Sequence, residues 1–378
     1  MAANGVDKNG KLSHLDGQAP ESTDFANYFC TYGYLYHQKD MLEDHKRTGA
    51  YYRAVMNNKK CFEGKVVLDV GTGSGILALF AAMAGAAKVY AVEATDMARK
   101  AREIIEHNGY SATIEVIQGT IETVEIPDKV DIIISEWMGY FLLRESMLDS
   151  VLCARDRFLK PEGAMYPSHA RILMCPIRSS ANHKRLNEYH DSIRGWDDFA
   201  SDMRQTYGVD LGVMDTPYEE EQRQYFLRTS LWQDVHPQSM MGPPVVVKEY
   251  DLKEVTIEEL KAPLKAQFSM PLDCDGPVEA LCGYFDCKFA GSAQRPAYQT
   301  VELTTAPDAT GATHWGQQVF LCHPPIKAMM GDRIDCDIEV VRRKDNQRLM
   351  EVAVAYQVNG DSDLAQGAAK RSIKWNIE

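Results

Sequence analysis

The chain has 378 residues, of which 45% are hydrophobic and 25% charged, and a formal net charge of −13. This size and hydrophobic content predict a protein with two globular cores. The acidic balance argues against a general nucleic-acid-binding protein and favours basic partners. No apolar run reaches the length that spans a membrane, and the amino terminus carries no secretory signal pattern. We therefore expect neither a membrane nor a direct nucleic-acid partner.

Nine cysteines are scattered along the chain without the paired spacing of a zinc site. Cys282 and Cys287 are too far apart for a zinc knuckle, and the odd total does not suit a complete disulfide framework. We expect reduced, intracellular thiols and no bound metal.

Residues 1–23 are rich in Gly, Asn, Lys, Ser, Asp and Pro without periodicity, which predicts a disordered segment. From Asp24 to Lys60 the apolar residues recur at helical spacing. The start of this helical region carries a cluster of aromatic rings: Tyr28, Phe29, Tyr32, Tyr34 and Tyr36. Two interpretations of these rings are open, ordinary core packing and a lid over a neighbouring site.

Strands and helices alternate between residues 66 and 134. The predicted strands cover residues 66–70, 89–93, 114–118 and 130–134, and helices follow the first two strands, over residues 76–84 and as far as His107. Alternation at this spacing predicts a doubly wound, mostly parallel sheet. Residues 160–163, Lys-Pro-Glu-Gly, are predicted to form a turn.

The first predicted strand runs into residues 71–75, Gly-Thr-Gly-Ser-Gly, here called the glycine loop. Its third glycine comes one position earlier than in a dinucleotide fingerprint, and no Gly-Lys-Ser/Thr ending makes it a P-loop. Glu93 ends the second strand, where a carboxylate can accept both hydroxyls of a ribose. This combination favours an adenosyl ligand without phosphates, namely S-adenosylmethionine. Arg47 either reaches the carboxylate of that ligand or is a surface residue of its helix.

Residues 135–147, here called the clamp loop, follow the strand 130–134 directly. The carboxyl ends of strands in open α/β sheets are where ligands bind. Glu136 and Glu145 lie on either side of Gly139, so the loop can fold back and bring the two carboxylates face to face. Facing carboxylates can hold a planar guanidinium in a bidentate manner. The alternative is a Glu145 that caps a helix, beside an unrelated Glu136.

The second half of the chain has a different pattern. Short alternating runs predict an antiparallel sandwich or barrel; they cover residues 171–175, 245–250, 283–289, 300–304, 318–322, 333–340 and 349–355. Residues 182–232 interrupt this pattern with helical, charged and aromatic sequence. An insertion of this length in a barrel usually has a function.

From about Asp24 to the carboxyl terminus the chain resembles the protein arginine methyltransferases. The matching motifs are Val67–Gly75, Glu93, the clamp loop and Thr313–Trp315. Within the family the chain is similar to the asymmetric-dimethylating (type I) class, and its long insertion is similar to the plant-type branch.

The resemblance implies an α/β doubly wound (Rossmann-like) methyltransferase domain over residues 24–167, including lid helices at its amino end. It implies an antiparallel β-barrel substrate domain over residues 168–378, with a helical dimerisation arm at about residues 182–232. The implied methyl donor is S-adenosylmethionine, with S-adenosylhomocysteine as product. The implied partners are arginine-containing proteins, such as histone tails and Gly-Arg-rich proteins, and a second copy of the chain. The implied location is the cytoplasm and the nucleus.

The resemblance also implies roles for individual residues. Those implied to contact the cofactor are Tyr28, Phe29 and Tyr32 in the lid, Gln38, Arg47 at the methionine carboxylate, Asp69, Gly71 and Gly73 in the loop, Glu93 at the ribose and Glu122 at the adenine amino group. Gln38 stands where relatives commonly have a histidine, so it can form hydrogen bonds there but cannot titrate. Those implied to hold the substrate arginine are Glu136 and Glu145, Met41 and Met147 along its channel, and His314, Trp315 and Asp44.

The residues leave three alternatives open. The proton of the product nitrogen can go to Glu145 or to a pair formed by His314 and Asp44, and His314 can instead simply anchor a lid helix. A small-molecule methyltransferase would keep the glycine loop and Glu93 but has no use for both clamp acids. An inactive scaffold relative would be expected to have lost an acid or a glycine.

Overall fold

The computed structural model describes Phe29 and residues 32–378. The prediction of a disordered segment over residues 1–23 and the lid role of Tyr28 lie outside these described residues. In the part of the chain that is described, no helix has both the length and the apolar character needed to cross a membrane.

Helices and strands alternate as far as Tyr166. Their order is α1 (Leu35–Glu43), α2 (His45–Met56), α3 (Lys59–Phe62), β1 (Val66–Val70), α4 (Ile76–Met83), β2 (Lys88–Glu93), α5 (Met97–His107), β3 (Ile114–Gln118), β4 (Val130–Ile134), α6 (Met147–Phe158) and β5 (Leu159–Tyr166). The four strands predicted for this region are confirmed.

The five strands form one parallel sheet in the order β3-β2-β1-β4-β5. All five residues of β4 are buried, as expected for a central parallel strand with both faces covered. The strand order reverses between β1 and β4, and ligands of doubly wound sheets bind at such a switch point. The glycine loop follows β1 and the clamp loop follows β4, so both loops start at this point.

The turn predicted at residues 160–163 is wrong, because these residues lie within β5. Val130 pairs with Leu159 and Ile132 pairs with Ala164, so the extra residues of β5 form an irregularity in the pairing with β4. Pro161 cannot donate a ladder hydrogen bond, and an edge strand with a bulge accommodates a proline. The proline and glycine of residues 160–163 therefore mark a bulge in an edge strand and not a turn.

The rest of the chain is mainly antiparallel. Its strands are β6 (His169–Ile177), β7 (Leu231–Gln233), β8 (Val245–Asp251), β9 (Leu264–Pro271), β10 (Val278–Gly291), β11 (Pro296–Thr304), β12 (Gln317–Ile326), β13 (Arg333–Arg342), β14 (Met350–Asn359) and β15 (Arg371–Ile377). The predicted domain boundary at residue 167 lies between β5 and β6.

Two antiparallel sheets make up this barrel-like domain. One contains β7-β12-β10-β6-β8, with β11 paired to β10, and the other contains β15-β14-β13-β9. Trp375 and Phe320 are buried between the sheets, and the Trp375 indole nitrogen donates to the Leu321 carbonyl at 2.8 Å. The predicted fold class, a Rossmann-like domain followed by an antiparallel barrel with a helical arm, is confirmed.

The arm is a pair of helices, α7 (Ser180–Tyr207) and α8 (Asp215–Leu227), joined by a short 3₁₀ turn at Gly212–Met214. In α7 only Asn182 and Tyr189 are buried, and α8 has no buried residue. The arm therefore projects from the barrel. A short helix, α9 (Ile257–Lys261), precedes β9.

Helix α2 packs against β11 of the barrel. Buried Asn58, just after this helix, pairs with both main-chain groups of Gln299: its amide donates to the carbonyl at 2.9 Å and its oxygen accepts from the amide at 2.8 Å. A buried polar side chain that is fully paired specifies one arrangement. These bonds fix β11 of the barrel relative to the end of helix α2.

Candidate active site

The glycine loop needs residues without side chains. Gly71, Gly73 and Gly75 have φ angles of 71°, 52° and 87°, in the left-handed region that favours glycine. A Cβ on Gly71 would lie 2.4 Å from the Met147 side chain, and one on Gly73 would lie 2.7 Å from the Gln38 amide oxygen. The loop backbone therefore comes close to both neighbours and forms a wall of a cavity.

Asp69 supports the glycine loop from behind. Its buried carboxylate accepts a hydrogen bond from the Thr72 hydroxyl at 2.5 Å and from the Ala78 amide at 3.1 Å. Burial raises the pKa of Asp69 to about 7, in spite of these bonds. The side chain does not line the cavity, so its place in the structure is that of a loop support rather than a direct ligand contact.

Glu93 and Glu122 are two of the acids that line this cavity. Glu93 accepts from the Gly73 amide at 2.9 Å and from the amide and hydroxyl of Thr95 at 2.9 and 2.7 Å. Glu122 accepts from the Ser150 hydroxyl at 2.6 Å. A carboxylate oxygen can accept more than one hydrogen bond, so each acid is fixed in place and can still accept from a ligand. Carboxylates that can accept hydrogen bonds suit the hydroxyl groups of a ribose and an amino group. The lining of the cavity therefore fits S-adenosylmethionine.

The clamp loop is folded back on itself. Phe141, Leu142, Glu145 and Ser146 have positive φ angles between 51° and 80°, which are unfavourable for residues with side chains. A Cβ on Gly139 would lie 1.8 Å from the Arg144 carbonyl oxygen, so only glycine permits this fold. Strain of this kind clusters at functional sites.

The folded loop brings its two acids together. Burial, and to a smaller extent the charge of Glu136, raise the pKa of Glu145, while a hydrogen bond of 2.7 Å from the Tyr32 hydroxyl opposes the shift. Glu136 accepts from the Met138 amide at 3.0 Å. The loop thus presents two nearby carboxylates, which is the arrangement that the spacing predicted.

Arginines of the protein already contact both acids. Arg47 donates to one oxygen of Glu136 through Nε at 2.9 Å and Nη2 at 2.7 Å, and to the Met41 carbonyl at 3.0 Å. Arg144 Nη1 lies 3.3 Å from Glu145. Arg47 lines the cavity as predicted, but the partner it has here is Glu136, and its contact with a cofactor carboxylate stays a prediction.

The barrel contributes His314 and Trp315. Asp44 accepts from the His314 main chain at 3.0 Å and lies 2.7 Å from the ring Nδ1, and its other oxygen caps α2 through the amides of Lys46 and Arg47. Although burial opposes it, these hydrogen bonds lower the pKa of Asp44 to about 2. The Trp315 indole donates to the Met138 carbonyl at 2.8 Å. Both barrel residues therefore hold the helices and the clamp loop together.

Gln38 joins two parts of the site. Its amide nitrogen donates to the Tyr32 carbonyl at 3.2 Å, and its oxygen accepts from the Ser74 amide at 3.2 Å. Gln38 is buried and lines the cavity, yet both ends of its amide are used, one on the Tyr32 main chain and one on the glycine loop. An uncharged amide, which both donates and accepts, is suited to this bridge.

Two cavities meet at the clamp loop. The first cavity is lined by the glycine loop, Glu93, Glu122, Phe29 and Met147 among others. The second is lined by the following residues that the first lacks: His37, Asp40, Tyr140, Arg144, His314, Trp315, Asn346 and Leu349. Six residues line both: Tyr32, Met41, Glu136, Met138, Glu145 and Arg348. Two molecules bound in these cavities would meet between the clamp acids.

The sequence did not indicate Arg348 or Tyr140. Arg348 precedes β14 and donates through Nη1 to the Glu145 carbonyl at 2.6 Å, across 203 residues of chain. The Glu145 amide donates back to the Arg348 carbonyl at 2.8 Å. No local sequence pattern predicts a contact between residues this far apart in the chain. Arg144 carried a weak signal, because it stands next to Glu145 in the chain.

Fold and site together define a Rossmann-like methyltransferase whose ligand cavity opens beside a pair of acids. A family model of the arginine methyltransferase oligomerization subdomain matches residues 183–362, and one of ribosomal protein L11 methyltransferase (PrmA) matches residues 32–166. Protein arginine N-methyltransferase PRMT10 of Oryza sativa subsp. japonica is 51% identical over 343 residues, 90% of either chain. The chain belongs to the protein arginine methyltransferase family.

Other comparisons agree. PRMT10 of Arabidopsis thaliana is 46% identical over 379 residues, covering 98% of this chain and 97% of the relative. The crystal structure of Arabidopsis thaliana protein arginine methyltransferase 10, described as uniquely open, has a TM-score of 0.88 at 46% identity and covers 93% of this chain and 99% of that one. The Trypanosoma brucei PRMT1 enzyme–prozyme heterotetramer with AdoHcy has a TM-score of 0.78 at 30% identity, covering 92% of this chain and 100% of that one.

Proposed function

We propose that the protein transfers methyl groups from S-adenosylmethionine to terminal guanidino nitrogens of protein arginines, giving monomethylarginine and then asymmetric dimethylarginine. The observation that carries this proposal is the pair Glu136 and Glu145 at the junction of the two cavities. Bound S-adenosylmethionine would supply an electrophilic methyl group on a sulfonium. The inactive-scaffold alternative gains no support, because both acids and all three loop glycines are retained and assembled.

The clamp acids address the chemical difficulty of the substrate. A guanidinium is a poor nucleophile, because its lone pairs are delocalised and its pKa exceeds about 12. Glu136 and Glu145 on one edge draw positive charge toward themselves and leave the far terminal nitrogen richer in electrons. Groups placed where charge develops in a water-poor site are the strongest catalytic contributions.

The lid orders the site. Tyr32 donates to Glu145 at 2.7 Å, and Gln38 binds the Tyr32 carbonyl to the glycine loop, so the lid, the clamp and the loop hold one another. Holding two reactants in attack geometry can contribute up to about 7–11 kcal/mol in favourable cases.

The methylated nitrogen must lose a proton, and burial raises the pKa of Glu145, which suits this carboxylate to accept it. A general base works best when its pKa approaches the working pH. In this proposal Asp44 keeps His314 in one orientation and lets it tie the barrel to α2, so the pair positions the site rather than taking the proton.

The channel supports the asymmetric product. Met41 lines both cavities, and Met147 lies against Gly71 in the first. Unbranched, flexible side chains leave room beside a nitrogen that already carries one methyl group. Fragment-ion mass spectrometry of methylated histone-tail and Gly-Arg-rich peptides tests this, since the two dimethyl isomers lose different neutral fragments. Detection of only the symmetric isomer would overturn the assignment.

The same proposal includes a homodimer formed through the arm. Its tip carries exposed apolar residues, with Val213 82% exposed and Tyr207 69% exposed. Exposed apolar groups clustered on a projecting element favour an interaction surface. Basic protein substrates agree with the net charge of −13, and a location in both cytoplasm and nucleus agrees with such substrates.

A further inference from the structure

The hairpin between β13 and β14, residues 343–349, lies against the clamp loop and is here called the barrel hairpin. Its residue Arg348 lines both cavities. The Arg348 guanidinium carbon lies 5.9 Å from the centre of the ring of Phe29, one of the predicted lid residues. Arg348 therefore lies where the barrel, the predicted lid and the two cavities meet.

Hydrogen bonds join the barrel hairpin to the clamp loop. Arg348 Nη1 donates to the Glu145 carbonyl at 2.6 Å, and the Glu145 amide donates to the Arg348 carbonyl at 2.8 Å. The Ser146 hydroxyl donates to the Gln347 carbonyl at 2.9 Å. Two consecutive residues of the clamp loop are thus held by two consecutive residues of the hairpin.

These bonds fall on the part of the clamp loop whose backbone is strained. Glu145 and Ser146 have φ angles of 80° and 59°. A strained backbone of this kind persists only when the contacts around it over-determine the conformation. Both main-chain groups of Glu145 bond to Arg348, and Arg342 at the end of β13 adds two bonds of 2.7 Å to Asp149 in α6. The barrel therefore supplies contacts that stabilise the folded clamp loop.

The charge of Arg348 also acts on the Glu145 carboxylate. Burial has the largest effect on the pKa of Glu145 and raises it, and the charge of Glu136 in the same loop raises it further. The Tyr32 hydrogen bond and the charges of Arg144 and Arg348 lower this pKa. A nearby positive charge favours the ionised form of a carboxylic acid. Without Arg348, Glu145 would therefore take up a proton at a higher pH.

We propose that Arg348 is a positioning residue for methyl transfer, which ties Glu145 to the barrel in the conformation that receives the substrate guanidinium. This inference rests on the proposed function and names a barrel residue that supports the clamp. Arg348 acts through Glu145, by its two main-chain bonds and by its charge. Loss of Arg348 should therefore change both the rate of methylation and its dependence on pH.

The test measures kcat/KM of the full-length enzyme on a Gly-Arg-rich peptide as a function of pH. Arg348→Gln should lower kcat/KM at neutral pH by about tenfold or more, since a hydrogen bond to a charged group is typically worth at least one factor of ten. The acidic limb of the profile should also move to higher pH, because activity needs an ionised Glu145. Arg348→Lys should keep the limb in place, since it retains the charge, but recover the rate only in part, since lysine lacks the planar fork.

A control in the same hairpin separates this role from a general effect on the barrel. Arg343 pairs with Asp345 and Glu378 and lines neither cavity, so Arg343→Gln should leave the rate and the acidic limb unchanged. Calorimetric titration with S-adenosylhomocysteine checks that each variant is folded. Arg348→Gln should bind it within a few-fold of the wild type.

A second measurement does not depend on methylation. In protein labelled with ¹³C at the glutamate side-chain carboxyl, the resonance that Glu145→Gln removes reports the titration of Glu145. This resonance should titrate at a higher pH in Arg348→Gln than in the wild type.

The possible results distinguish this inference from the proposed function. An acidic limb or a Glu145 resonance that does not shift in Arg348→Gln would overturn the inference alone. The same loss of rate in Arg343→Gln, or loss of cofactor binding in Arg348→Gln, would also overturn it, because Arg348 would then support the fold in general. Absence of methylation by the wild type would overturn the proposed function, whatever the resonance shows.

Discussion

Arg47 and Glu136 form an ion pair in which two nitrogens of one guanidinium, at 2.9 and 2.7 Å, share a single carboxylate oxygen. Both side chains are largely buried. Arg47 also donates to the Met41 carbonyl of α1. Arg47 thus contacts helix α1, a clamp acid and the first cavity, so changes to the clamp and to cofactor binding must be separated by experiment.

Glu136→Gln should abolish methylation and leave cofactor affinity within a few-fold. The amide keeps the shape of the side chain but loses the charge that polarises a guanidinium, and Arg47 stays available to the first cavity. Glu93→Ala should instead weaken cofactor binding directly, since Glu93 lines that cavity. Calorimetric titration with S-adenosylmethionine checks both. Loss of binding in Glu136→Gln with normal binding in Glu93→Ala would contradict these roles.

Tyr32→Phe should move the acidic limb of the kcat/KM profile to higher pH. The Tyr32 hydroxyl bonds to the Glu145 carboxylate and lowers its pKa against the effect of burial, so removing it raises that pKa further. A protonated Glu145 cannot hold the charge of a guanidinium, so activity falls as pH drops through this pKa. Tyr36→Phe, at an exposed ring, is the control and should leave the limb in place. A limb shifted to lower pH in Tyr32→Phe would contradict the assignment.

Asp44→Ala should destabilise the protein by about 1–2 kcal/mol, because the side chain caps α2 and also binds His314. Urea unfolding measures the loss. Asp96→Ala is the matched control, because Asp96 precedes α5 but its side chain forms no cap hydrogen bond. This variant should lower the free energy of unfolding by less.

The contribution of Asp44 should also depend on pH. Its pKa in the folded protein is about 2, below the ordinary 3.8, so the stabilisation is complete above the ordinary value and is lost as pH falls toward 2. The difference between wild type and Asp44→Ala should therefore shrink over this range. A difference that grows on acidification would refute the linkage.

Val213→Asp should weaken self-association by about tenfold or more, because it places a charge on the apolar tip of the arm. Val246→Asp, at an exposed valine of the barrel, should leave association unchanged. Replacing the arm with a short Gly-Ser linker should give a monomer with little activity. Analytical ultracentrifugation with parallel assays checks both, and a fully active monomer would remove the arm from the proposal.

Met41→Phe should lower total activity and let some symmetric dimethylarginine appear. A rigid ring in place of a flexible thioether crowds the nitrogen that already carries a methyl group. Fragment-ion mass spectrometry quantifies both isomers. An unchanged isomer ratio would show that Met41 does not shape the channel.

The sequence by itself determined the parallel sheet and the places of its two loops. Strand β4 is a continuous apolar run that is fully buried, and β1 is followed directly by glycines. Both features can be recognised from a few consecutive residues, without knowledge of the rest of the fold. The positions of Glu136 and Glu145 followed, since the carboxyl ends of adjacent parallel strands share one edge. The strands β9 and β15, at the edges of the second barrel sheet, were not predicted.

Only the tertiary structure decided what surrounds the two acids. Arg348 binds Glu145, 203 residues away in the chain. Gln38 joins Tyr32 to the glycine loop, and Arg47 forms its ion pair with Glu136. Such contacts depend on how elements that are distant in the chain pack together. Residue type and local spacing do not predict that packing. The chemistry of a carboxylate can be read from the chain, but its charge balance depends on neighbours that the fold brings to it.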